Sequence, residues 1–214
     1  MTGALSLLLA LLSTLNVAAE VRDLVVDPMT STDHWQLGGD RVNYVLGESS
    51  VGPSAQQVRE GVKATLKLTY DFREERRQYL SAYWTGLPIP GQCASFSFWL
   101  YGDHSGRPVE VSLEDASERW YKRQLDPIGW DGWKQLTVPV GEGAGWNALL
   151  RRGEEPKPLQ HPVCLRQIAV LRNPQTPPQG ELYFHELSAR TDIEPADFVE
   201  AEVSTGRQGN LFYV

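Results

Sequence analysis

Between residues 96 and 140 apolar and polar side chains alternate with a period of two. Phe96, Phe98 and Leu100 alternate with Ser97, Trp99 and Tyr101, and Val109, Val111 and Leu113 alternate with Glu110, Ser112 and Glu114. Successive side chains of a strand point to opposite faces, so each segment buries one face and offers the other to water or a ligand. Tight-turn residues separate the segments: Gly102-Asp103-His104-Ser105-Gly106, Glu114-Asp115-Ala116-Ser117 and Gly129-Trp130-Asp131-Gly132. Further strands are expected at 21–26, 35–46, 61–72, 78–84, 166–172 and 181–189. A polar turn-rich stretch is expected at 47–57, and a long loop rich in Gly, Pro and charge at 141–162. No helical period is sustained. The pattern predicts an all-β fold, an antiparallel β-sandwich or jelly roll. Its expected core is Phe96, Phe98, Leu100, Val109, Val111, Leu113, Trp133, Leu136 and Val138.

The 214 residues suffice for one sizeable domain with tails. Residues 1–19 hold an apolar run from Ala4 to Leu12 and end in Val17-Ala18-Ala19, a small-residue cleavage pattern. They read as a secretory signal peptide, although no Lys or Arg precedes the run. The run is too short for a spanning helix, and no later one is longer, so the expectation is a secreted or periplasmic chain without stable membrane insertion. The domain is expected at 20–193. The polar segment 194–214, ending in Leu211-Phe212-Tyr213-Val214, reads as a linker or the start of a second module; the alternative is a strand folding back on the sandwich.

Charge narrows the partners. The net charge of −7 resides wholly beyond residue 19. An acidic surface repels phosphate backbones, which argues against nucleic acid. Cys93 and Cys164 each open an apolar strand. They stand either as a disulfide closing a long loop or as two buried thiols, and sequence leaves both readings open.

Catalytic signatures are weak. Gly47-Glu48-Ser49-Ser50-Val51-Gly52 misses the nucleophile-elbow spacing by one residue, and Gly141-Glu142-Gly143-Ala144-Gly145 lacks a strand-to-helix context. His34, His104, His161 and His185 stand singly, without zinc-ligand spacing. Glu114 and Asp115 are neighbours and so face opposite ways. Glu110 and Glu114 do share a strand face and would serve as a catalytic pair in a jelly-roll lyase or hydrolase, but a solvated face is the favoured reading. The expectation is a non-catalytic domain.

The residues Trp99, Gly102, Asp103, Ser105, Gly106, Asp115, Gly132, Trp133, Lys134, Val138 and Pro139 carry a resemblance. The chain resembles the galactose-binding-like jelly rolls, which include carbohydrate-binding modules and the sugar-binding-like domains that lead exported bacterial glycoside hydrolases. The resemblance implies a polysaccharide or oligosaccharide as partner, a fused catalytic domain in the same glycan-active protein, and a structural calcium ion. By position in the fold, Asp27 on the first strand and Glu186 on the last are the calcium candidates, although such families more often place Glu and Asp there respectively. The alternatives are a structural or protein-interaction domain without sugar binding, and a jelly-roll lyase or hydrolase.

Outward aromatic residues are the candidate sugar site, because pyranose C–H faces stack on aromatic rings while hydroxyls take flanking acids, amides or Arg. Trp99 and Tyr101 project away from the predicted core. Tyr79 and Tyr83 share one strand face, Glu110 and Arg123 are expected to border the same sheet, and Trp130 sits on a turn. The first six are expected to form one platform with polar edges, and Trp130 is a separate binding candidate. Trp133 reads as core; Trp84, Trp120 and Trp146 read as packing residues or loop anchors.

Overall fold

The computed structural model describes residues 21–40, 48–73, 78–150 and 152–193. The leader expected at 1–19 and the linker or second module expected at 194–214 lie outside the described residues.

Twelve strands run through the described residues, and no helix: β1 (Arg22–Asp27), β2 (Trp35–Gly39), β3 (Ser50–Ser54), β4 (Thr65–Asp71), β5 (Tyr79–Trp84), β6 (Ser95–Asp103), β7 (Val109–Glu114), β8 (Trp120–Gln124), β9 (Asp131–Pro139), β10 (Asn147–Ala148), β11 (Cys164–Leu171) and β12 (Gln179–Thr191). The first sheet has the order β3-β4-β12-β6-β9, with β1 also paired to β12; the second has the order β10-β8-β7-β11-β5-β2. Every pairing is antiparallel. The all-β sandwich that the period-two pattern predicts is the fold observed.

The inner faces explain why. In the first sheet β6 turns Phe96, Phe98 and Leu100 inward, beside Leu66 and Leu68 of β4 and Leu182 and Phe184 of β12. From the second sheet Leu80, Ala82 and Trp84, then Val109, Val111 and Leu113, then Ile168 and Val170 meet them. Each such side chain gains about 1.5–3 kcal/mol on leaving water, which makes this layer the main stabilising element.

Two expectations change. The turn-rich stretch at 47–57 contains β3, a polar edge strand whose Pro53 is tolerated because an edge leaves some N–H positions unpaired. Trp133 is not core. In β9 the inward parity belongs to Lys134, Leu136 and Val138, opposite Leu100, Phe98 and Phe96; Trp133 lies opposite Tyr101 on the outer face. Leu136 is partly buried against the core and Val138 fully. Gly102 ends the inward row of β6 because a side chain there would meet Trp130: a Cβ would lie 2.4 Å from the Trp130 carbonyl oxygen.

Candidate functional site

The seven predicted site residues fall on different sides of the sandwich. Trp99 and Tyr101 lie on the outer face of the first sheet, whereas Tyr79, Tyr83 and Glu110 lie on the outer face of the second. One platform is therefore excluded, since two sheets and a core separate the groups. Arg123 belongs to neither outer face. It pairs with the inward Val111, and its Nη1 reaches out of the sheet edge to the Pro139 carbonyl at 3.4 Å. Trp130 covers Gly102 at the end of the sandwich, with the Lys134 ammonium 4.6 Å from its ring centre.

On the first sheet the aromatic faces are already occupied. The Arg59 guanidinium lies 3.7 Å over the Trp99 ring. Tyr101 meets Trp133 edge-on at 5.5 Å and Tyr183 edge-on at 6.2 Å. The Tyr183 hydroxyl donates to Glu181 as well as lying 2.9 Å from Gln56 Oε1. Burial, then the Glu181 carboxylate, pushes its pKa up.

The second sheet presents a different surface. Because β5 buries Leu80, Ala82 and Trp84, it must display Tyr79, Ser81 and Tyr83. β7 displays Glu110, Ser112 and Glu114, and β8 displays Trp120, Lys122 and Gln124 by the same alternation. Cross-strand register lines up Gln36, Tyr83, Gln167, Ser112, Lys122 and Asn147 in one row across six strands. A register shift between Leu165 and Gln167 brings in Arg166, whose Nε donates to Glu114 Oε2 at 2.5 Å. Lys122 Nζ lies 2.8 Å from Glu110 Oε1 and 5.2 Å from the Tyr79 ring centre.

Two aromatic rings lean together over this row. The Tyr83 and Trp120 centroids are 6.4 Å apart with planes inclined by only 21°. Their strands are separated by β11 and β7, a span of about 14 Å at normal strand spacing, so the rings reach toward each other across the strands that carry Gln167 and Ser112. Those residues and Ser81 each bury a polar atom without a protein partner: Gln167 Oε1, Ser112 Oγ and Ser81 Oγ. Buried polar atoms are nearly always bonded, so each of the three has hydrogen-bonding capacity left for a water or another polar group. Gly38 keeps the adjoining edge low, since a Cβ there would lie 2.6 Å from Ser81 Oγ and 3.0 Å from Tyr83 Cβ.

Of the predicted candidates only Tyr79, Tyr83 and Glu110 lie on this face, beside Trp120, Lys122, Arg166, Gln167 and Ser112, which are not among the predicted binding residues. Trp120 had looked like a packing residue; its parity with Lys122 and Gln124 was the available signal. Trp84 is core, and Trp146 packs its ring 6.1 Å from Phe96. Beside Trp146 a cavity of about 620 Å³ opens between the 141–145 and 156–159 segments. There the Trp146 Nε1 already donates to the Pro139 carbonyl and the Tyr121 hydroxyl to Asp115, so its aromatic polar tips are committed.

Asp27 and Glu186, the calcium candidates, face different surroundings. Asp27 Oδ1 accepts from the Met29 backbone at 2.6 Å and from Trp35 Nε1, a residue of the opposite sheet, at 3.1 Å. Glu186 lines a groove on the outer face. The two point to opposite sides of the first sheet, and no cluster of three His, Cys, Asp or Glu with metal-holding geometry occurs among the described residues. Cys93 and Cys164 are free, buried thiols. Their sulfurs lie against different carbonyls, Ser95 for Cys93 and Gly86, Leu87 and Leu165 for Cys164, and burial pushes both pKa values up to about 12.

No protein-family model matches the sequence, and no curated protein matches it. Solved structures do. A family 61 carbohydrate-binding module in complex with β-1,4-galactotriose is similar at TM-score 0.46 and 12% identity, over 79% of this chain and 99% of that one. A family 11 module from Clostridium thermocellum, in complex with a β-1,3-1,4-mixed-linked tetrasaccharide, is similar at TM-score 0.48 and 11% identity, over 82% and 99%. A family 29 module variant complexed with mannohexaose gives TM-score 0.43 and 9% identity, over 80% and 93%. These three solved structures, to which the sandwich is similar, are carbohydrate-binding modules.

Proposed function

We propose that this protein binds carbohydrate through the outer face of its second sheet. The observation that carries the reading is the near-parallel Tyr83–Trp120 pair standing over a row of polar side chains. A sugar needs both parts. Its C–H face stacks on an aromatic plane, and its hydroxyls need donors and acceptors around the rim. Tyr79, Tyr83 and Trp120 supply the planes. Lys122 with Glu110, and Arg166 with Glu114, supply charge-assisted partners held in fixed positions.

The reading is one of binding, not catalysis. Glu110 and Glu114 are each paired with a cation, Lys122 and Arg166, rather than with each other. The leader-like residues 1–19 favour export, and an exported glycan-binding sandwich serves as the accessory module of a glycan-active protein. The test is affinity electrophoresis and calorimetry against neutral hexasaccharides of β-1,4-glucan, β-1,4-mannan and β-1,4-galactan. Saturable binding without release of new reducing ends supports the reading; no binding to any of them, or turnover abolished by Glu110→Gln, overturns it.

A further inference from the structure

The outer face of the first sheet holds a concavity that the second-sheet reading does not use. It is about 400 Å³ in volume and lies where β1, β12, β6 and β9 meet. Its floor is a cross-strand row of hydroxyls: Ser188 of β12 faces Ser97 of β6, which faces Thr137 of β9. Neighbouring strands lie about 4.8 Å apart, so these hydroxyls repeat at roughly that interval. Gln135 closes one end, one register step from Ser97, and Arg190 with Asp23 stands at the other.

The backbone is bent to complete the groove. The pairing of β12 with β6 shifts register between His185 and Ser188, and Glu186 in that bulge has φ +51°, a left-handed conformation unusual for a side chain of its kind. Bulges re-aim side chains, and a non-glycine residue held at positive φ is a local cost that the surrounding structure sustains. Here the bulge turns Glu186 into the groove, where its Oε1 lies 3.4 Å from Ser188 Oγ. The result is two carboxylates, a guanidinium, an amide and four hydroxyls around one hollow.

We infer that this groove is a second carbohydrate site for a neutral oligosaccharide, on the opposite side of the sandwich from the first. The side chains favour a polyol over an anion: two carboxylates, Asp23 and Glu186, outnumber Arg190, while Ser95, Ser97, Thr137, Ser188 and Gln135 both donate and accept, as a neutral sugar's hydroxyls require. The site is hydrogen-bonding in character, since the nearby Trp99 is covered by Arg59. A chain carrying both sites bridges two glycan strands, and its avidity for a polysaccharide exceeds that for a short oligosaccharide.

Native mass spectrometry with the same neutral hexasaccharides counts the bound sugars. The wild-type chain should reach two per chain. Glu186→Gln, Gln135→Ala, and separately Trp120→Ala should each leave one, with melting temperatures close to wild type for the two exposed-groove variants. A stoichiometry of one that Trp120→Ala abolishes and Glu186→Gln and Gln135→Ala do not alter overturns the second site and leaves the first standing. A single sugar lost with Glu186→Gln or Gln135→Ala but retained in Trp120→Ala supports the groove and removes the second-sheet reading. No sugar bound at all overturns both.

Discussion

Tyr83 and Trp120 hold their rings 6.4 Å apart and 21° from parallel although two strands run between their backbones. Such reach is unnecessary for core packing, because both side chains lie on the outside of the sheet. Truncating either ring should therefore cost binding more than stability. Trp120→Ala or Tyr83→Ala should weaken binding of whichever neutral hexasaccharide binds by about 1–3 kcal/mol, roughly 5- to 150-fold. Trp99→Ala, on the opposite face, should leave that affinity unchanged. Calorimetry on the three variants decides it.

A buried cation closes the end of the sandwich. Arg107 is 1% exposed, with Nη1 donating to the Leu171 carbonyl at 3.3 Å and Nη2 to the Pro177 carbonyl, and its guanidinium lies 4.6 Å from the Tyr70 ring centre. Arg107→Ala leaves two carbonyls without this donor and a cavity beside Tyr70 and Phe72. The expected loss is about 3–5 kcal/mol, the range for large-to-small changes in a core. Urea unfolding measures it, and a change below about 1 kcal/mol would show that water replaces the guanidinium.

Stability should fall as the solution turns mildly acidic. Burial holds His185 below its ordinary pKa of 6.5, and the Arg59 cation adds to the effect; its Nδ1 lies 3.1 Å from the Pro28 carbonyl, to which it donates. Burial likewise lowers His161, whose Nδ1 accepts from the Cys93 backbone at 3.2 Å. The unfolded chain takes up protons as pH falls through 6.5 while the native histidines stay neutral, so unfolding is favoured on the acid side. The melting temperature should drop between pH 7 and about pH 5, and His185→Gln should flatten that slope.

The thiols give a chemical readout of burial. With both pKa values near 12 and both sulfurs enclosed, neither Cys93 nor Cys164 presents thiolate at pH 8. Ellman's reagent should find almost no reactive thiol in the native chain and two per chain after denaturation. None after denaturation would mean that the pair had joined as a disulfide.

Alternation along a strand fixes what lies in and what lies out, and for β5, β6 and β7 it was legible residue by residue. It does not state to which sheet a strand belongs. That is why Trp99 and Tyr101 were grouped with Tyr79, Tyr83 and Glu110, although the topology sets them on opposite sides. Trp133 shows a different failure. The Gly-Trp-Lys turn suggests burial, yet the parity of Trp133 with Gln135 and Thr137 against Leu136 and Val138 points outward. Arg166 and Glu186 reach their sites through register shifts in β11 and β12, and no period in the sequence announces those.

The thirteen residues of β12 also set the order in which the molecule can come together as it is made. β1 pairs with residues 187–191, β4 with 179–184 and β6 with 183–190, so three strands synthesised much earlier wait for one late segment. Until residue 191 has left the ribosome, β1 has no partner strand and β4 and β6 are not joined. Before then the first sheet can form only as two separate pieces, β3 with β4 and β6 with β9, and it closes when the last strand joins them across long stretches of chain, the kind of contact that slows folding.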